Sequence, residues 1–485
     1  MIRILAVVAA SLSLSVAAAD ALPPSVAAAF QRAQIPDASV GIYVQRVGAA
    51  GTPSLVDPAP RRAPGRSDIE PLLSSHADLP MNPASTMKLV TTYAALELLG
   101  PAFTWKTVLA SNAAQVGSTL DGALVVRGAG DPKLVLESFW LMLRQLRGRG
   151  IRTINGDLVL DRSLFEPTPF DPAAFDGEPY RPYNVGPDAL LVNFKSVTLR
   201  FVPDDAHREV RVTMEPALAD FGVGTIVYAD GPCGDWRTRA APDFARSDRL
   251  AFNGVYPGDC GEQTWNVAVM DHRQYVGALF RALWIELGGT WNGIVRDGIM
   301  PADARVLVEH ESPSVAEVVR DINKYSNNVM ARELFLSIAA EVGKAPANVD
   351  RAQRLIRSFY DGKGIAMPEL VLENGSGLSR SERISAASMG RVLQAAWASP
   401  VMPELVASLP LVGFDGTMRK RLNLHSVAGH AHVKTGSLAD TRAVAGYVLA
   451  ASGRYYVVAV LINHVNAGRG QAGQDALLQW VYEHG

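Results

Sequence analysis

Along residues 38–48, "ASVGIYVQRVG", apolar and polar positions alternate, which predicts a strand. The segment before it, "SVAAAFQRAQI", predicts a helix. Residues 81–100, "MNPASTMKLVTTYAALELLG", are apolar on nearly every face and predict a buried helix. Asn82 suits the N-cap and Pro83 the first helical position, while Gly100 and Pro101 end the helix. From about Thr104 the texture changes. Short strands ("GALVVRG", "INGDLVLD", "SVTLRFVPD", "REVRVTMEP") alternate with turn signals around one clear helix, "VLESFWLMLRQLRGRG". Near Trp265 the pattern shifts back. "WNVAVMD" predicts a strand, "RQYVGALFRALWIELGG" an amphipathic helix, and 312–343 two helices broken near Lys324–Ser326, with Ser312 as N-cap. Two strong strands, "TRAVAGYVLAA" and "RYYVVAVLIN", and a closing helix complete the chain.

These pieces predict an α/β (α+β) fold in which an antiparallel sheet is flanked by helices and interrupted by a strand-rich module. The expected bounds are 20–103 and 265–485 for the sheet-and-helix domain and 104–264 for the insert, which could itself hold two subdomains. Residues 1–19 have Arg3, an apolar run and Ala17-Ala18-Ala19, the pattern of a secretory signal peptide. No other run approaches the roughly 20 apolar residues of a spanning helix. The two cysteines, Cys233 and Cys260, suit an exported chain with one disulfide, against the alternative of two free thiols. A net charge of −2 with both signs mixed argues against nucleic acid or an acidic membrane as the main partner.

Chemistry enters with Ser85 and Lys88, three residues apart on one helical face. A serine hydroxyl becomes a nucleophile when a base takes its proton, and burial disfavours the charged form of a lysine. The helix N-terminus adds a dipole for a developing oxyanion. By itself such a pair is weak, since a surface serine one turn from a lysine reads the same. Two further motifs change its weight. "KYSNN" puts Ser326 and Asn328 in the break between two helices, where helix capping is the plainer reading. "HVKTGS" puts Lys434, Thr435, Gly436 and Ser437 just before a strong strand, in a chain with only nine lysines.

In the order S-x-x-K, S-x-N, K-T-G, the three motifs resemble those of the penicillin-recognising serine D,D-peptidases. The gap from Lys88 to Ser326, 326 − 88 = 238 residues, resembles the penicillin-binding protein 4 type of D-alanyl-D-alanine carboxypeptidase and endopeptidase, which has a large insert after the S-x-x-K helix. "RGAGDP", "INGDLVLD", "YNVGPDALLVN", "ENGSGLSR" and "VKTGSLADTRAVAGYV" share that likeness, which covers nearly the whole mature chain. Two departures are Asn374, where the family usually has aspartate, and an extra Pro/Arg-rich loop at 59–66; neither is expected to touch a core catalytic position. The resemblance implies a penicillin-binding transpeptidase-like domain and an exported, periplasmic enzyme needing no cofactor. Its substrates would be peptidoglycan stem peptides and cross-bridges, and β-lactams would acylate it. It further implies Ser85 as nucleophile, Lys88 as base, and Ser326 with Lys434 as proton relay to the leaving amine. Asn328 would hold a substrate amide, Thr435 and Ser437 the terminal carboxylate, and the N–H groups of Ser85 and Ser437 the oxyanion, with Gly436 permitting close approach of substrate.

A β-lactamase or esterase on the same scaffold is the enzymatic alternative, and a β-lactam sensor or wall-binding module the non-enzymatic one. "RGAGDP" lacks the spacing of a phosphate loop and reads as a turn, as do Asp131 and Asp157. His430 and His432 have no accompanying metal motif and read as packing or surface groups. Oligomeric state leaves no mark in the sequence.

Overall fold

The computed structural model describes residues 22–48, 70–246, 248–344 and 346–485. The expected signal peptide and the loop at 59–66 lie outside these. The central sheet has five antiparallel strands in the order Leu73–Ser75, Val40–Arg46, Tyr455–Asn463, Thr441–Leu449, Ala431–Leu438. Strand Val40–Arg46 lies against Tyr455–Asn463 with Val40 opposite Ile462, so the two ends of the chain meet in the middle of the sheet. Period-two alternation sorts the inner strands between two cores. Val444, Val448, Val458 and Val460 pack with Val26, Phe30, Leu477 and Val481 of the two terminal helices, Pro24–Arg32 and Gln471–His484. Ala443, Tyr447, Val457 and Leu461 point the other way, toward Met389, Val392 and Leu393 of helix Ala386–Trp397 and the helices beyond. Both faces are covered, which explains the unbroken apolar run "VVAVLI". Each fully buried valine or leucine contributes about 1.5–3 kcal/mol, so the sheet is a rigid platform whose outermost strand, Ala431–Leu438, has a fixed position.

Helix Lys88–Leu98 lies within the second core and is buried from Lys88 through Leu96. Its entrance differs from the expected capped α-helix. Ala84–Met87 form a 3₁₀ turn, and the α-helix starts only at Lys88. Helices Val315–Tyr325 and Asn328–Gly343 appear where the sequence puts them, but the first is capped by Ser314 in a box with Glu317. Ser312, the expected cap, instead accepts the Trp105 N–H at 2.9 Å.

The strand-rich part holds a sheet of Val295–Asp297, Leu158–Asp161, Leu124–Arg127, Lys106–Ser111 and Arg305–Glu311. A three-stranded sheet joins Glu209–Glu215, Val197–Asp204 and Gln263–Val267. This moves the expected return at 265. Trp265 opposes Leu199, helix His272–Glu286 contributes Tyr275, Leu279 and Phe280 to the same core, and Arg305–Glu311 pairs with Lys106–Ser111. By strand pairing the chain leaves this part only after Glu311. Cys233 and Cys260 form a disulfide beside a cluster of Phe201, Trp236 and Tyr256. Closing a loop of 27 residues contributes about 3.5 kcal/mol in the chain-entropy model. Thiol titration of the denatured protein is expected to find no free thiol before reduction and both cysteines after it; a reactive thiol before reduction overturns the pairing.

Candidate active site

The site is built on the 3₁₀ turn, which is clamped from several sides. Asn82 Oδ1 accepts the Ala84 N–H at 2.9 Å, and Asn82 Nδ2 donates to the Ser379 carbonyl at 2.9 Å. The Asn463 side chain exchanges two hydrogen bonds with the Asn82 backbone, at 2.7 and 3.0 Å. Held this way, Ala84 adopts φ +45°, a left-handed conformation costing on the order of 1–3 kcal/mol, just before Ser85. Two glycines press on the turn. A Cβ at Gly377 would lie 2.0 Å from the Ala84 carbonyl oxygen, and one at Gly436 would lie 2.7 Å from that of Pro83 and 3.0 Å from Ser85 N. Gly436 is therefore required by the approach of the Ser85 turn, a closer constraint than the expected approach of substrate.

Lys88 is fully buried. Its Nζ lies 3.0 Å from Ser85 Oγ and donates to Asn328 Oδ1 at 2.6 Å and to the Ser376 carbonyl. Burial holds its pKa well below the usual lysine value, the positive charges of Lys434 and Arg332 push the same way, and Glu382 opposes them. Neutral, the amine has two N–H donors, which Asn328 and Ser376 accept. Its lone pair is then left for the Ser85 O–H. That is the arrangement a general base needs.

The break between the two helices brings in the second motif. Ser326 ends helix Val315–Tyr325 at φ +57°, and Asn327 caps helix Asn328–Gly343 by accepting the Met330 N–H. Across the reversal, Asn328 meets Lys88 and Ser326 meets Lys434. Lys434, buried on the edge strand, donates to Ser326 Oγ at 2.9 Å and to the Thr435 carbonyl at 2.7 Å. Burial pushes its pKa down to about 7. Thr435 is partly exposed and donates to Thr417 Oγ1 at 2.7 Å, and Ser437 stands exposed two residues further along. Ser85, Lys88 and Asn328 thus meet, Gly436 lies against the Ser85 turn, Lys434 reaches Ser326, and Ser85 is partly open to solvent.

Sequence reasoning missed the turn at 373–382. It supplies the Ser376 carbonyl to Lys88, and Asn374, expected to be remote from the chemistry, accepts the Ser376 N–H at 2.9 Å and its hydroxyl at 2.6 Å. The positive-φ glycines 375 and 377 in "ENGSGLSR" were the available signal. Other singled-out groups lie elsewhere. Asp157 pairs with Arg296 at 2.8 Å, and Asp131 is buried in the insert with its pKa pushed up to about 7. His430 packs on Tyr482, and among the described residues no cluster of three or more His, Cys, Asp or Glu could hold a metal ion.

The Ser85 hydroxyl thus stands against a buried amine, beside the edge strand of a helix-flanked antiparallel sheet. The profile of the D-Ala-D-Ala carboxypeptidase 3 (S13) family matches residues 65–484, and the chain belongs to that family. It is 31% identical over 438 residues to the D-alanyl-D-alanine carboxypeptidase of Actinomadura sp. (strain R39), covering 86% of this chain and 79% of that protein. The D-alanyl-D-alanine carboxypeptidase DacB of Haemophilus influenzae is 28% identical over 394 residues, 79% of this chain and 81% of that one. The crystal structure of penicillin binding protein 4 (dacB) from Haemophilus influenzae has the same fold, with a TM-score of 0.77 at 23% identity over 95% of this chain and 99% of that one. The enzyme is thus a serine-type carboxypeptidase.

Arginine cannot give up its proton, so Lys88→Arg keeps N–H donors at the site but removes the base. Acylation by benzylpenicillin is expected to fall about 10²–10⁴-fold. In the unaltered enzyme, acylation is expected to rise with pH as Lys88 loses its proton and to level off well below 10.5. A stopped-flow pH profile checks this; a rate still rising at pH 10, or an active arginine variant, removes Lys88 from the role.

Proposed function

We propose that the enzyme removes the terminal D-alanine of peptidoglycan stem peptides, and also cuts D,D-cross-bridges, through an acyl-enzyme on Ser85. The observation that carries this is the shared position of Ser85 and Asn328 on the buried Lys88 amine. The substrate backbone lies along the edge strand as an added strand. Thr435 and Ser437 bind the terminal carboxylate, assisted by the charge of Lys434. Asn328, with its oxygen on Lys88, has its amide N–H groups left for a substrate carbonyl. Lys88 accepts the Ser85 proton as Oγ attacks the penultimate D-alanine carbonyl. The backbone N–H groups of Ser85 and Ser437 stabilise the oxyanion, an effect worth about 10²–10³-fold per donor. Ser326, hydrogen-bonded to Lys434, passes a proton to the departing D-alanine nitrogen. Water then cleaves the ester, with no cofactor in either step.

A β-lactam follows the first step, but the amine released when its ring amide breaks stays tethered to the acyl group and blocks water, so the acyl-enzyme persists. We place the enzyme in the periplasm, exported by residues 1–19; no helix among the described residues is long and apolar enough to cross a membrane. We assign the catalytic domain to residues 22–103 and 312–485, with 104–311 inserted between the Lys88 helix and the Ser326 turn. Labelled benzylpenicillin is expected to tag the protein at Ser85, and the same preparation to release D-alanine from a pentapeptide. Equal labelling of Ser85→Ala overturns the nucleophile. Rapid nitrocefin turnover without D-alanine release makes the protein a β-lactamase instead.

A further inference from the structure

Glu382 is a fully buried acid, and no salt bridge reaches it among the described residues. Its Oε1 accepts three successive backbone N–H groups, those of Glu373, Asn374 and Gly375, at 3.1, 3.0 and 3.2 Å. Its Oε2 is buried without a hydrogen-bond partner. Leaving half a carboxylate unsatisfied costs several kcal/mol by general estimates, so the residue needs a reason. Nothing in the core requires it, because an amide or a hydroxyl could also accept backbone N–H groups.

The reason lies one residue beyond the three N–H groups. Ser376 follows Gly375 directly, and its carbonyl is one of the two acceptors that hold the Lys88 amine. The turn is pinned at further points. Asn374 holds Ser376 through its N–H and hydroxyl, Asn374 Nδ2 donates to the Leu378 carbonyl at 3.0 Å, and Thr91 donates to the Gly375 carbonyl at 2.7 Å. Gly377 rests on the Ala84 carbonyl, so the turn touches both the base and the nucleophile's own backbone. An aspartate at 374 could not make the donation to Leu378 that the asparagine in this chain makes.

We propose that Glu382 is a positioning residue that fixes the Glu373–Ser376 turn so that the Ser376 carbonyl stays on Lys88 and the amine's lone pair stays on Ser85. This rests on Ser85 as the acylated serine and Lys88 as its base. Substrate is bound by the edge strand and Asn328, which Glu382 does not touch. Glu382 therefore acts on the acylation step and not on binding.

The test follows benzylpenicillin acylation by stopped flow, separating the non-covalent dissociation constant from the acylation rate constant. Glu382→Ala is expected to lower the rate constant at least tenfold and change the dissociation constant by less than threefold. Glu382→Gln keeps an oxygen acceptor for the three N–H groups and is expected to recover most of the lost rate. If Glu382→Ala does not fold, Asn374→Ala, which releases Ser376 from the other side, is expected to show the same split. A rate constant unchanged in the folded alanine variant overturns the proposal, as does a loss appearing only in the dissociation constant or a glutamine variant as slow as alanine. If Asn374→Ala has to stand in, an unchanged rate constant overturns it equally. Ser85→Ala run alongside separates the two levels: labelling lost there but unaltered at position 382 rejects only the role of Glu382.

Discussion

The arrangement around Ser85 depends on keeping one amine dry. A lysine ammonium taken from water into a protein interior loses several kcal/mol of solvation, so a buried lysine without a carboxylate beside it is most stable neutral. Lys88 meets this condition because its neighbours are an amide oxygen, a carbonyl oxygen and a hydroxyl. A carboxylate in direct contact would have favoured the charged amine. Glu382, the acidic group that opposes the shift, is set back and spends its oxygen on backbone N–H groups. The architecture supplies polarity to Lys88 without supplying a countercharge in contact.

Dryness requires that the Ser85 turn, Asn328 and the Ser376 turn meet at the amine and stay there. The two-sided burial of the central sheet fixes the edge strand, and Gly436 lets that strand lie against the Ser85 turn. The same rigid sheet sets Lys434 on Ser326. Its Asn463 reaches out to hold the backbone of Asn82, which starts the turn. The left-handed Ala84 is tolerated because all these contacts oppose its relaxation, which is how strain persists beside a reacting atom.

The three motifs were legible because each is local: a turn, a helix break and a strand entrance carry their own spacing. What joins them was not. The Lys88–Ser376 contact spans 288 residues, and the run "ENGSGLSR" showed family likeness without showing which of its atoms faces the base. The helix at 84–98 was legible as helix, yet its first turn is 3₁₀ because tertiary clamps override the propensity of Ala84. The extent of the strand-rich part was hard to read for a different reason. Strand "WNVAVMD" and the helix after it look alike whichever domain owns them, and only pairing of Gln263–Val267 with Val197–Asp204 assigns them.

Arg332 ties the insert to the chemistry. It lies one helical turn beyond Asn328, and its guanidinium donates to the carbonyls of Tyr183 and Val185 at 3.2 and 3.0 Å. The ring of Phe170 stacks against it, with the guanidinium carbon 5.6 Å from the ring centre. Burial pushes its pKa down to about 10, yet it stays charged at neutral pH, and that charge helps keep the proton off Lys88. One buried cation thus anchors residues 170–185 of the insert on the catalytic helix and biases the base. An insert placed between the Lys88 helix and the Ser326 turn is therefore part of the electrostatic environment of Lys88. Without it, Arg332 would lose its backbone partners at Tyr183 and Val185.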